Sequence, residues 1–227
     1  MPVVAMLKKQ RAKTLGRRVV STFGCALILA GLGVLVYFLW QYFGTNIVSK
    51  NKHADIRNAT VLKWDKGIDA DTIGLLRVQR FGDDYEVPIV PGFDKTALAR
   101  GVGLYEKGAK PGEIGNFAIA GHRVTHGEPF RDFLELRNGD EIVVETRTKT
   151  FTYVLRNNGD DIRVDFTTSW PLQAVPELGK AKVRATEPLL TMMTCAELFN
   201  TRDRSVVVGD LAKTVDKKTG TTTLAKK

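Results

Sequence analysis

Outside an apolar N-terminal run the chain has a single thiol, Cys195, which closes the stretch Thr191-Met192-Met193-Thr194-Cys195. Arg204 follows nine residues later, ahead of Ser205-Val206-Val207-Val208. His122 lies upstream, delivered by the small and apolar Ala118-Ile119-Ala120-Gly121. A thiol, an imidazole and a guanidinium are what acyl transfer through a thioester requires. The first is a nucleophile, the second carries the proton, and the third faces the oxygen that becomes negative. Each residue alone has a plainer reading. Most free cysteines behave as small buried hydrophobes, a lone histidine at a strand end is more often structural, and a basic residue at a strand start is usually a solvated end. His126 competes for the imidazole role, and Arg202 for that of the cation.

Such a site needs elements that bring three distant residues together. From Ile73 onward the texture is of short β-like runs broken by turn residues. Strands are expected at 73–80, 86–90, 116–121, 141–146, 150–156, 189–194 and 204–209, with Asn138-Gly139-Asp140 and Asn157-Asn158-Gly159-Asp160 as turns. Single helical turns are expected at 95–101 and 130–136. Many short strands with few helices suggest a mostly β chain closed into a barrel. The segment 160–188 has little periodicity and two prolines, and is a candidate substrate-binding loop.

Residues 19–40 carry no charge, and a run of that length exceeds the roughly 20 residues that span a hydrocarbon core. Trp40, Tyr42 and Phe43 follow as an interfacial aromatic belt would. A cleaved signal would have a shorter apolar region and a small-residue cleavage site, and 41–50 offers none. Of the net charge of +9, residues 1–18 hold +6 and residues 213–227 hold +4, which leaves −1 between them. A nucleic-acid binder would be expected to carry its basic stripe on the folded domain, so no nucleic acid is expected as a partner. The basic N-terminus should stay cytoplasmic and the rest of the chain outside. The expected organisation is a basic segment 1–18, a transmembrane anchor 19–40, a juxtamembrane linker 41–72 with some helix in it, a catalytic domain 73–211 and a disordered basic tail 212–227. With three histidines, one usable cysteine and no phosphate-binding glycine loop, neither a metal nor a cofactor is expected.

Longer motifs surround the three residues. Thr191 and Thr194 stand before Cys195 as in a T-L-x-T-C signature, with Met192 where Leu is usual. Asn116 to Arg123 forms a histidine strand, Arg204 to Gly209 an arginine strand, and Pro111 to Asn116 and Gly139 to Val143 flank the histidine. The distance to Gly209 favours Arg204 over Arg202. Over about residues 73–211 this set resembles the sortases, and one N-terminal anchor without a second span resembles class E. Two departures fall near where a peptide would bind. His126 stands where many class E members have Tyr, and Leu104-Tyr105 where they often read G-H-Y.

The resemblance implies an eight-stranded barrel with short helices and a cysteine transpeptidase without a cofactor. Cys195 would be the nucleophile, His122 the acid/base and Arg204 the oxyanion group, with His126, Thr191, Thr194 and Leu104 as substrate-binding residues. The substrate would be a surface protein with a C-terminal LPxTG-like or LAxTG-like sorting signal, cut between Thr and Gly. The acceptor would be a cell-wall amine such as lipid II. Ordinary values near 8.5 for Cys and 6.5 for His put about 1% of the pair in the ionised form. A pilin-polymerising sortase is the nearest alternative, though no apolar run follows Leu211. A papain-like hydrolase would place its cysteine before its histidine, and a non-catalytic wall-associated scaffold would leave Cys195 inert.

Overall fold

The structure is a computed structural model that describes residues 2–40, 44–180, 182–195 and 202–225. The chain divides into two units, residues 1–44 and 45–227. The first is helix α1, Pro2–Leu39. Its part Val20–Leu39, with a mean hydropathy of 2.2, is long and apolar enough to cross a membrane.

The second unit opens with helix α2, Thr45–Asp65. Among the described residues ten strands follow: β1 Gly74–Val78, β2 Glu86–Pro91, β3 Val102–Leu104, β4 Gly115–Ala120, β5 Glu141–Glu145, β6 Lys149–Leu155, β7 Arg163–Asp165, β8 Pro188–Cys195, β9 Asp203–Asp216 and β10 Thr222–Leu224. A one-turn helix α3, Lys95–Leu98, sits between β2 and β3. Asp94 caps it by accepting the backbone N–H groups of Thr96 at 2.7 Å and Ala97 at 2.9 Å. Eight strands close a ring in the order β9-β6-β5-β1-β2-β3-β4-β8 and back to β9. The pairs β2–β3 and β4–β8 are parallel and the others in the ring antiparallel. Closure removes the unpaired edges that an open sheet of this size would expose.

Alternation along each strand sends one set of side chains inward. Phe117 and Ile119 of β4, Leu190 and Met192 of β8, Tyr153 of β6 and Val207 of β9 meet in the core. Each fully buried apolar side chain of this size contributes roughly 1.5–3 kcal/mol. Tyr153 satisfies its buried hydroxyl by accepting the Gly112 N–H at 2.8 Å.

The architecture departs from the sequence-based expectation at the tail. The expected linker 41–72, read as partly helical, contains α2, which packs on the barrel through a polar face. Asn46, Ser49, His53 and Thr60 are all buried, at steps of three, four and seven residues along one helix face. The expected disordered tail instead continues β9 through Asp216, which pairs with β6 as far as Lys149, and returns as β10. Asp216 closes that turn by accepting the N–H groups of Lys218 at 2.9 Å and Thr219 at 3.0 Å. Lys217 bonds Glu145 at 2.6 Å and lies 5.1 Å from the centre of the Trp64 ring. Threonine and valine in this stretch suit a half-exposed strand, and these contacts offset the cost of ordering it.

Candidate active site

Strand register brings the thiol, the imidazole and the guanidinium to one rim. Parallel β4 and β8 pair from Gly115↔Pro188 to Ala120↔Met193, a constant offset of 73 residues. His122 lies two residues beyond Ala120, and Cys195 two beyond Met193, at the same offset. Neighbouring strands run about 4.8 Å apart, so the two residues leave the sheet side by side. On the other flank, antiparallel β8 and β9 pair Cys195 directly with Arg204. Leu190, Met192 and Val207 point inward, so alternation turns Cys195 and Arg204 to the outer face of the barrel.

The approach to His122 is held from both sides. The Gly121 N–H donates to the Met193 carbonyl at 3.2 Å, and the Thr194 hydroxyl donates to the Gly121 carbonyl at 2.8 Å. A Cβ on Gly121 would lie 2.8 Å from the Phe130 ring, closer than such atoms approach, so glycine is required there. Phe130 returns the loop by donating its N–H to the His122 carbonyl at 2.9 Å.

His126 stacks on His122, with ring centres 4.6 Å apart and planes 24° from parallel. Thr194 is buried at the barrel end, where its hydroxyl is committed to Gly121. Leu104 and Thr191, the other two expected substrate-binding residues, are both enclosed: Leu104 belongs to the interior core and Thr191 has no exposure. As they stand, neither presents surface to a peptide; Leu104 packs in the barrel interior, whereas Thr191 is covered on the face that also carries Cys195. Arg202 bonds Asp165 of β7 at 3.0 Å and lies over the Phe166 ring, whereas Arg204 is the register partner of Cys195 and its guanidinium donates to the Asp203 carbonyl at 3.0 Å. The candidate loop 160–188 lies against the outer face of β4, where the Asn116 amide donates to the carbonyls of Pro171 at 2.8 Å and Gln173 at 2.9 Å. Half-buried Ala120 and Met193 sit one step below the rim on that same face. Sequence reasoning passed over Asn46 and His53 of α2, which pack on the turn after His122. Their spacing, with Ser49, is a helical signal in polar residues.

Burial lowers the pKa of His122 to about 4, with His126, His53 and Arg204 adding to the lowering. Burial likewise lowers His53 to about 4, opposed by its hydrogen bond to the Ala99 carbonyl. Both rings are therefore neutral at pH 7. Unfolded imidazoles titrate near 6.5. Between about pH 6.5 and 4 the unfolded chain takes up protons that the folded chain refuses, and stability falls as pH falls. Each ring adds a slope of up to about 1.4 kcal/mol per pH unit in that window. Urea unfolding in detergent across this range is expected to show His53→Gln with about one proton less of linked uptake than wild type. Equal uptake in the two proteins would rule out a buried neutral His53. Among the described residues, no group of three or more His, Cys, Asp or Glu is arranged to hold a metal ion.

A closed eight-stranded barrel with a cysteine, a histidine and an arginine at one rim defines a class of protein, and the comparisons agree with it. The Sortase domain family matches residues 76–212, and the chain belongs to the sortase family, whose members are transpeptidases. Within that family it groups with class E. It is 30% identical to sortase SrtE1 of Streptomyces coelicolor over 91% of its own length and 61% of that protein's. The chain thus spans less than two thirds of that relative. The structure of sortase E from Streptomyces avermitilis matches with a TM-score of 0.58 at 32% identity, covering 66% of this chain and 94% of that one. The structure of Streptomyces coelicolor sortase E1 with a tripeptide in the active site matches with a TM-score of 0.57, also at 32% identity, over 66% and 94%.

Proposed function

We propose that the chain is a membrane-anchored sortase that cuts a C-terminal LPxTG-like or LAxTG-like signal between Thr and Gly and joins the new carboxyl end to a cell-wall amine such as lipid II. In this reading α1 is the anchor, with its basic start in the cytoplasm and the barrel outside. The observation that carries the proposal is the register: Cys195 is flanked by His122 at the same 73-residue offset and by Arg204 directly opposite.

Cys195 attacks the threonine carbonyl carbon as His122 takes the thiol proton. The resulting oxyanion faces Arg204. The C–N bond then breaks, His122 returns the proton to the departing glycine nitrogen, and a thioester remains. The acceptor amine attacks that thioester, His122 takes the amine proton, and the C–S bond breaks. Protonation of the sulfur by His122 restores the site. A ring whose pKa is held at about 4 is a weak base at rest and a strong acid once charged, which suits expulsion of a poor amine leaving group. Ala120 and Met193, between the rim and the 160–188 segment, are the apolar floor on which the signal would lie, and the tripeptide in sortase E1 supports a peptide-binding site. Mass spectrometry of the protein incubated with a panel of sorting peptides tests the proposal. Cleavage between Thr and Gly, with a covalent acyl-enzyme on Cys195, is expected; intact peptides throughout would overturn it.

Arg204 acts mainly in the transition state, because negative charge on the oxygen develops only there. Loss of one such donor costs on the order of 3 kcal/mol, about 100-fold in rate. Arg204→Ala should lower kcat by that order with KM changed little, and Arg204→Lys should rescue part, since lysine keeps the charge but not the planar fork. Arg202→Ala should stay near wild type. A larger loss for Arg202→Ala in steady-state kinetics would move the role.

A further inference from the structure

The buried polar face of α2 lies against the turn that follows His122. Asn46, only 8% exposed, makes three hydrogen bonds there. Its side-chain oxygen accepts the Gly127 N–H at 3.0 Å. Its amide donates to the Val124 carbonyl at 3.2 Å and to the Glu128 carboxylate at 2.7 Å. About two turns further along α2, His53 closes on the same place: a Cβ on Gly127 would lie 2.7 Å from the His53 ring.

The turn so held is a strained one. His126, Gly127 and Glu128 have φ of 54°, 84° and 52°, and the first and third are not glycine. Non-glycine residues stay in the left-handed region only when their surroundings over-determine them. Within the loop the Glu128 N–H bonds back to Thr125 at 3.1 Å, the His126 Nδ1 lies 3.0 Å from the Thr125 hydroxyl and Arg131 donates to the Glu128 carboxylate at 3.1 Å; the braces named here from outside the loop come from α2. The conformation has one visible product: it lays the His126 ring flat on His122 at 4.6 Å.

We propose that Asn46 is a positioning residue, which through the His126–Glu128 turn holds the His126 ring against His122 and so fixes the orientation of the His122 imidazole beside Cys195. The inference rests on the reading of His122 as the acid/base. Without Asn46, the Gly127 N–H and the Val124 carbonyl lose their partner, the two left-handed side-chain residues relax, and the stacked ring leaves. His122 then gains water and rotational freedom. Helix α2 thereby belongs to the working site and is more than a connection to the barrel.

The test uses the full chain in detergent micelles, with two readouts on each variant: steady-state cleavage of a fluorogenic sorting peptide, and NMR titration of the His122 ring protons. For Asn46→Ala, kcat should fall about 10- to 100-fold with KM within about threefold. The His122 titration should move upward toward the ordinary imidazole range as water enters. A kcat within twofold of wild type, or an unmoved titration, overturns the proposal. Asn46→Asp should behave like Asn46→Ala, because it loses both donated bonds and sets a carboxylate against Glu128. Adding Glu128→Gln restores a donor–acceptor pair with its direction reversed, and the double variant should recover most of the lost kcat. Should Asn46→Ala fail to melt cooperatively, Asn46→Asp with and without Glu128→Gln decides, and absence of rescue overturns the idea. If wild type cleaved no sorting peptide, the proposed function would fall, while the titration would still report whether Asn46 governs His122.

Discussion

Cys195→Ala is expected to leave no thioester and no detectable turnover of a sorting peptide. The second cysteine, Cys25, lies within the apolar helix Val20–Leu39 and cannot replace a thiol at the barrel rim. A methyl group has no lone pair to attack a carbonyl, so the loss reflects removal of the nucleophile and not a change in its efficiency. Alanine is smaller than cysteine and the site is only half-buried, so the barrel should fold and still bind peptide. Peptide affinity of Cys195→Ala within a few fold of wild type, with no acyl-enzyme in intact-mass spectra, is the predicted combination. Cys25→Ala should turn over normally. Comparable cleavage by Cys195→Ala and wild type would end the cysteine mechanism for this chain.

His122→Ala should lower kcat by at least about 100-fold, the lower end for a lost general acid/base. The thiol would have to ionise unaided, and the glycine amine would have to leave unprotonated. His126, stacked on the same ring, cannot inherit the task easily: its backbone is set by the left-handed turn, six residues past the end of β4, whereas His122 lies two past it at the offset that the β4–β8 register sets for Cys195. His126→Ala should therefore cost less than His122→Ala, and His126→Tyr should chiefly alter the preference between signals with Pro and Ala at the second position. The measurement is kcat and KM for the three variants on both peptides. A dead His126→Ala beside an active His122→Ala would exchange the two roles.

Much of the barrel was legible from the texture of its strands. Runs such as Phe117-Ala118-Ile119, Leu189-Leu190 and Val206-Val207-Val208 are short and apolar, and turn residues such as Asn138-Gly139-Asp140 separate such runs. The meeting of Cys195, His122 and Arg204 was legible only as motif, since register is a property of paired strands and no single segment states it. Helix in 41–72 was legible, but its docking on the barrel was not, because the usual signal is an apolar stripe. Asn46, Ser49, His53 and Thr60 bury a polar one, and Asn46 and His53 take partners from distant segments. Strands β3 and β7, three residues each, are too short to show a period. The tail misled by composition: lysine and threonine read as solvated chain, and the order comes from β6, Trp64 and Glu145, far away in sequence. Leu104 illustrates the converse, since nearness to a motif does not reveal on which side of a wall a side chain lies.

The parallel pairing of β4 with β8 also governs when the chain becomes competent during folding. Hairpins such as β1–β2 and β5–β6 join residues close in sequence and form on local contacts, whereas β4 and β8 must close a loop of about seventy residues before any bond between them is gained. Long-range pairings of this kind are slow, because chain entropy is lost before contacts offset it. His122 is made ready on one side of that loop and Cys195 on the other, so a partly folded chain carries an exposed thiol without a proton carrier. On the proposed mechanism, competence should therefore arrive only with ring closure, after the local hairpins have formed.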